Sequence, residues 1–131
     1  EYTFGCGSRV SGMTLLMLAM TNGHAGLAEA LLRRGADISL QKSDGGTALG
    51  LAATNGHKKL VELALRHGAE VDQTYSTGTS ALMDAAYVGH EGVVDMLIRH
   101  GAEIDLQANE GDTAMIQAAA FGHPAVVLRL L

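Results

Sequence analysis

Hydrophobic positions along the chain come in paired short runs rather than long ones. After Gly45-Gly46-Thr47, the run Ala48-Leu49-Gly50-Leu51-Ala52-Ala53 is rich in helix formers and stops at Asn55-Gly56. A glycine at that place predicts a short helix closed by a left-handed residue, a conformation that costs glycine no Cβ clash. A second apolar pattern follows at once, with Leu60, Val61, Leu63, Ala64 and Leu65 spaced for one broad helical face and an end at Arg66-His67-Gly68. This second helix reads as the more buried of the two. Its last turn is cationic at Arg33-Arg34, Arg66-His67 and Arg99-His100, where positive charge suits the negative end of the helix dipole. Pro124 begins another such helix, at a position where the missing N–H costs nothing. The polar stretch from Ala69 to Thr79, with Gly78 inside it, separates one helix pair from the next and reads as a turn or hairpin finger.

The cycle recurs along the whole chain. Gly-His stands at 23/24, 56/57, 89/90 and 122/123, Gly-Ala at 35/36, 68/69 and 101/102, and Thr or Ser at 14, 47, 80 and 113, every interval being 33. Three markers in phase at one period define a repeat. A single helix-turn-helix unit of this size cannot bury its apolar face, whereas stacked units share a continuous core. The predicted architecture is therefore an all-α solenoid forming one domain, with units at about 12–44, 45–77, 78–110 and an incomplete 111–131 after an N-terminal flank, 1–11. Arg9, Val10 and Ser11 fall where a first finger tip belongs. The apolar run Val126 to Leu131 stops without a capping residue, so the chain is expected to be a monomeric fragment of something larger.

A period of 33 with a Thr-Pro-Leu-His-x-Ala box is the ankyrin signature, and this sequence resembles the ankyrin repeat family from about Gly12 to Leu131. The second unit carries the resemblance in Thr47-Ala48-Leu49, Ala52-Ala53, Gly56-His57, Val61 through Leu65 and Gly68-Ala69-Glu70-Val71. The third carries it in Ser80-Ala81-Leu82-Met83-Asp84-Ala85-Ala86, Gly89-His90, Val93-Val94 and Gly101-Ala102-Glu103-Ile104-Asp105. The box proline is replaced by Leu15, Ala48, Ala81 and Ala114, and the box histidine by Met17, Gly50, Met83 and Ile116. The family's inter-repeat histidine hydrogen bonds are thus expected to be absent and replaced by apolar packing. Gly50 costs helix propensity of about 0.8–1 kcal/mol relative to Ala, which marks the second unit as the weakest.

Composition narrows the chemistry. A net charge of −5 disfavours general attraction to phosphate backbones or anionic lipid. Cys6 is the only cysteine, so no intrachain disulfide or thiolate metal cluster is possible, and a cytoplasmic or nuclear setting is the natural expectation. No apolar run reaches the roughly 18 residues of a membrane helix, and Glu1-Tyr2-Thr3-Phe4 lacks a signal pattern. His24, His57, His90 and His123 occupy equivalent places in units spaced roughly 10 Å apart, too far to share one ion, so they read as structural groups near helix starts. His67 and His100 read as dipole-compensating surface residues. Asp44-Gly45-Gly46-Thr47 lacks the lysine and spacing of a phosphate loop. No carboxylate pairs with a base or nucleophile in a catalytic pattern, Cys6 has no evident partner base, and no cofactor is expected. Met13, Met17, Met20, Met83, Met96 and Met115 fall mostly on apolar helical positions and read as core.

The resemblance implies a concave surface built from the fingers and the exposed faces of the first helices. Carried over by position, that row is Leu18, Thr21, Asn22; Leu51, Thr54, Asn55; Asp84, Tyr87, Val88; and Gln117, Ala120, Phe121. Its second half holds Tyr87 and Phe121, and aromatics are enriched among binding hot spots. Across 36–46, 69–79 and 102–112 the acids are Asp37, Asp44, Glu70, Asp72, Glu103, Asp105, Glu110 and Asp112 against Lys42 alone, a local balance of −7. An acidic rim steers a partner segment bearing Arg or Lys. The expectation is a non-catalytic scaffold or adaptor module that grips an extended peptide or protein. Tyr87, Phe121 and Asp84 lie near its centre, Val88, Gln117 and Leu51 along the row, and Tyr75, Glu110, Asp112 and Asp44 on the finger side. A structural spacer, or an intramolecular docking surface within a channel or enzyme, is the alternative on the same fold.

Overall fold

The computed structural model describes residues 14–131, which hold eight helices in four antiparallel pairs. These are α1 (Leu15–Asn22) with α2 (Ala25–Arg33), α3 (Ala48–Thr54) with α4 (Lys58–Arg66), α5 (Ala81–Val88) with α6 (Glu91–Arg99), and α7 (Ala114–Ala120) with α8 (Pro124–Leu130). The N-terminal flank, including Cys6, Arg9, Val10 and Ser11, lies outside the described residues, as do Gly12 and Met13.

Each first helix starts by the same device. Thr14, Thr47, Ser80 and Thr113 are extended, and their hydroxyl oxygens accept from the amides of Met17, Gly50, Met83 and Ile116 at 3.1, 3.0, 3.3 and 3.3 Å. An N-cap of this kind satisfies one of the orphan amides of a helix start and is worth about 1 kcal/mol. Thr14, Thr47 and Ser80 are themselves buried, so the recurring hydroxyl is a packing and capping residue at once.

The first helices, not the second, are the more buried layer. In α3 the buried set is Ala48, Leu49, Gly50, Ala52 and Ala53, and in α5 it is Ala81, Leu82, Met83, Ala85 and Ala86. In α4 and α6 the buried positions form one stripe, Leu60, Val61, Leu63 and Ala64, then Val93, Val94, Met96 and Leu97. The physical reason is position in the stack. A first helix touches its own second helix and the first helices on either side, and small alanine faces let those backbones approach closely. A second helix keeps one face in water, and a strong apolar stripe there signals a boundary with solvent rather than full burial. Met17, Met20, Met83 and Met96 are core and Met115 packs against it.

Histidines do tie neighbouring units together, contrary to expectation, but from the Gly-His position rather than the box. His57 Nε2 lies 3.1 Å from the Thr21 carbonyl, His90 Nε2 3.1 Å from that of Thr54, and His123 Nε2 2.9 Å from that of Tyr87. Because a carbonyl only accepts, Nε2 carries the proton in each. Each ring covers the glycine that closes the preceding first helix. At Gly56, where φ is +74°, an added Cβ would stand 2.7 Å from the His90 ring. The glycine is thus required twice, for its left-handed turn and for the ring of the next unit.

The fingers are tight turns joined edge to edge. In the finger that enters α5, Tyr75 N donates to Thr79 O at 2.9 Å and Thr74 bridges Ser80. Ser76 N donates to Asp44 O at 3.0 Å, and Asn109 N to Thr77 O at 2.9 Å, which links three successive fingers through their backbones. Side chains reinforce the seam, with Gln41 reaching Thr74 O, Asn109 reaching Ser76 O, and Asp72 accepting from Glu103 N at 2.9 Å. On the opposite, convex side, Arg129 of α8 pairs with Asp95 and Glu91 of α6 at 2.9 and 3.5 Å.

Candidate functional site

The row read from the sequence lies on the open side of the first helices. Leu18, Thr21, Leu51, Thr54, Asp84 and Gln117 are half-buried at its base, while Asn22, Asn55, Tyr87, Val88, Ala120 and Phe121 are exposed. Its two halves differ in shape. Leu51 packs against the core in the second unit, and the surface around it is small and polar.

Between the third and fourth units the surface is furrowed. Tyr87 and Phe121 meet edge to face with ring centroids 4.4 Å apart and planes at 83°. Each remains about half exposed, 50% and 49%, beside Val88 at 39%. An edge-to-face pair is a favoured aromatic geometry worth about 0.5–1.5 kcal/mol beyond burial, so the rings are held in place while presenting apolar area to water. Beside Tyr87 lies a recess of about 230 Å³ lined by Thr79, Met83, Asp84, Tyr87 and Gln117. It adjoins a second of about 330 Å³, lined by Thr77, Thr79, Ala108, Asn109, Glu110, Asp112 and Gln117. Thr79 and Gln117 belong to both, so one trough runs from the aromatic pair to the finger rim.

Five residues singled out in the sequence therefore converge: Asp84, Tyr87, Gln117, Glu110 and Asp112. Gln117 Nε2 donates to Asp112 Oδ2 at 3.2 Å, which joins helix α7 to its own finger. Thr79, Met83, Thr77, Ala108 and Asn109 complete the lining and were not legible as site residues. Thr79 and Met83 flank the Ser80 cap and read as part of the helix start. Asn109 enters through the finger seam, for which the 33-residue spacing to Ser76 was the one available signal.

Tyr75 and Asp44 stand elsewhere. Tyr75 turns inward from its finger and lies over Gly50, where an added Cβ would be 2.6 Å from the phenol oxygen. The glycine in place of the box histidine leaves the space this ring fills, so its helix-propensity cost is offset by aromatic burial. Burial, with the carboxylates of Asp84 and Asp44 nearby, keeps the phenol protonated well above its ordinary range. Its hydroxyl and that of Thr54 lie near the Asp84 carboxylate. Thr54 gives its own proton to the Gly50 carbonyl at 2.8 Å. Burial pushes the Asp84 carboxyl up to about 6, the contacts with Thr54 and Tyr75 opposing the rise. Asp44 is a finger-building residue: it accepts from Gly46 N at 2.9 Å and pairs with Lys42 at 3.6 Å. Asp37 similarly caps its own turn through Ser39, which holds its carboxyl below the usual range.

Among the described residues no His, Cys, Asp and Glu side chains gather as three or more potential metal ligands, and no helix is long and apolar enough to cross a membrane. No curated protein matches the chain. The family model for ankyrin repeats matches in three copies, over residues 16–108 and 75–131. With helix pairs, capped first helices and linked fingers recurring through that span, the chain belongs to the ankyrin repeat family.

Proposed function

We propose that this chain is a non-catalytic interaction module of a scaffold or adaptor protein, and that it holds an extended peptide or protein segment in its concave groove between the third and fourth units. Ankyrin repeats are in general protein-protein interaction modules. The observation that carries the finer reading is the coincidence of the exposed Tyr87–Phe121 pair with a continuous trough. A ring serving only to fill space between units would be covered by its neighbours. These two are fixed against each other and still half open, the state in which a partner gains apolar burial without paying to order them. The acidic rim at Glu110 and Asp112 favours segments carrying basic residues, and a cytoplasmic or nuclear setting belongs to the same reading.

A peptide-array screen followed by calorimetry tests this, with Tyr87→Ala plus Phe121→Ala beside the unaltered chain. The pair of substitutions is expected to weaken binding at least tenfold, about 1.4 kcal/mol, while the far-UV spectrum and melting cooperativity persist. Equal affinity in the two proteins would move the site elsewhere. An array without any hit would favour a spacer or intramolecular docking surface.

A further inference from the structure

We propose that the recess beside Tyr87 is a seat for one arginine side chain of the bound segment, with the Asp84 carboxylate as counter-ion. This rests on the groove reading above and gives it a chemical specificity.

The recess is lined by groups that accept. Asp84 stands in the first turn of α5, on the base of the groove, with the Tyr75 and Thr54 hydroxyls near its carboxylate. A carboxylate has about four lone-pair sites, so two neighbouring hydroxyls leave capacity on it. None of the ion pairs among the described residues involves Asp84, and Lys42, the one cation of the fingers, pairs with Asp44. Gln117 lines the same recess. One of its two amide N–H donors goes to Asp112, and Oε1 remains able to accept from a ligand. Thr79 adds a hydroxyl that is shared with Thr77 at 2.8 Å.

A pocket of acceptors selects a donor-rich cation. Guanidinium brings five N–H donors in a planar fork and no acceptor, and it is more weakly hydrated than an ammonium, so a half-buried site costs it less. The Tyr87 ring, held by Phe121, supplies an aromatic wall for a cation. The buried Met83 supplies an apolar floor for the methylene stem. An acidic or purely apolar side chain would leave Asp84 desolvated without a partner. Carboxylates elsewhere on the fingers differ in this respect, since Asp37, Asp44 and Asp72 already hold backbone amides.

The test uses the whole chain and three probes: Nα-acetyl-arginine N-methylamide, its neutral citrulline counterpart, and the lysine counterpart, titrated at neutral pH while backbone amide resonances are followed by NMR. Saturable shifts at Thr79, Asp84, Tyr87 and Gln117 are expected with arginine, at least tenfold weaker binding with citrulline and weaker binding with lysine. Asp84→Asn, which preserves shape, is expected to reduce the arginine response to the citrulline level, with its spectrum still that of the folded chain. If citrulline equals arginine, if lysine equals or exceeds it, or if Asp84→Asn leaves the preference intact, the seat is wrong. Array peptides that bind through Tyr87 and Phe121 without any arginine preference would overturn the seat and leave the groove standing. Arginine shifts in a chain that binds no array peptide would support the seat and remove the peptide-binding function.

Discussion

Asp84 is the residue at which stability and binding pull apart. A buried carboxyl raised to about 6 binds its proton more tightly in the folded chain than in the unfolded one, where the ordinary value is 3.8. Its contribution to stability is therefore fully present below about pH 4 and is lost as pH rises through 6. The difference of about two units corresponds to at most on the order of 3 kcal/mol, since solvent still reaches part of the group. Asp84→Asn is expected to melt higher than the unaltered chain at neutral pH, with the gap closing as pH falls toward 4, in paired thermal scans across that range. Taking the difference between the two proteins removes the opposite trend of carboxylates such as Asp37. A gap that stays constant with pH would mean that Asp84 is not titrating in this window. Asp84 was visible in the sequence as a groove residue because its place on the first helix follows from the repeat. Its environment was not visible, because Tyr75 arrives from a neighbouring finger to occupy the space above Gly50, and that contact depends on how two units stack.

Helices and their punctuation were the most legible part of the molecule. The 33-residue recurrence located all four helix pairs, and Gly-His and Gly-Ala marked their ends, because a left-handed residue at a helix end is a local requirement written in one side chain. Which helix lies deeper was misjudged, since the apolar stripe of α4 is stronger than that of α3 yet α3 is enclosed on more sides. The role of the Gly-His histidines was likewise hidden, because their partners sit 36 residues away in the preceding unit. These bonds make one unit's helix end part of the next unit's interface, so they belong to the nearest-neighbour coupling that stabilises a solenoid. His90→Ala removes the donor to the Thr54 carbonyl and uncovers Gly56. The expected cost is about 1–2 kcal/mol, concentrated at the boundary between the second and third units. Hydrogen exchange is the measurement that tests it: protection should fall in α3 and α5 more than in α7. A uniform loss over all helices would instead assign His90 to the global core.

Across the whole molecule, charge and shape are arranged on different elements. The apolar features of the groove come from helix α5 and the residue that caps the end of α7, whereas Glu110 and Asp112 come from the finger that precedes α7, and the net charge of the chain is −5. Charges on an exposed rim contribute little to the lifetime of a complex but act at long range on the approach of a partner. Such steering is screened by salt, the Debye length contracting to about 8 Å at physiological ionic strength. A basic peptide that binds the groove should therefore associate more slowly as salt is raised, by an order of magnitude or more, while its dissociation rate changes little. Glu110 and Asp105 are both exposed, and neither is among the carboxylates that hold a finger backbone amide. Glu110→Lys with Asp105→Lys should accordingly flatten the salt dependence of the association rate without lowering the melting temperature appreciably. Stopped-flow measurement over a salt series separates the two rates. Were the salt effect to fall on dissociation instead, the dominant charge contact would lie inside the complex, at Asp84 rather than on the rim, and the finger acids would be left with the turn-building role that Asp37, Asp44 and Asp72 already perform.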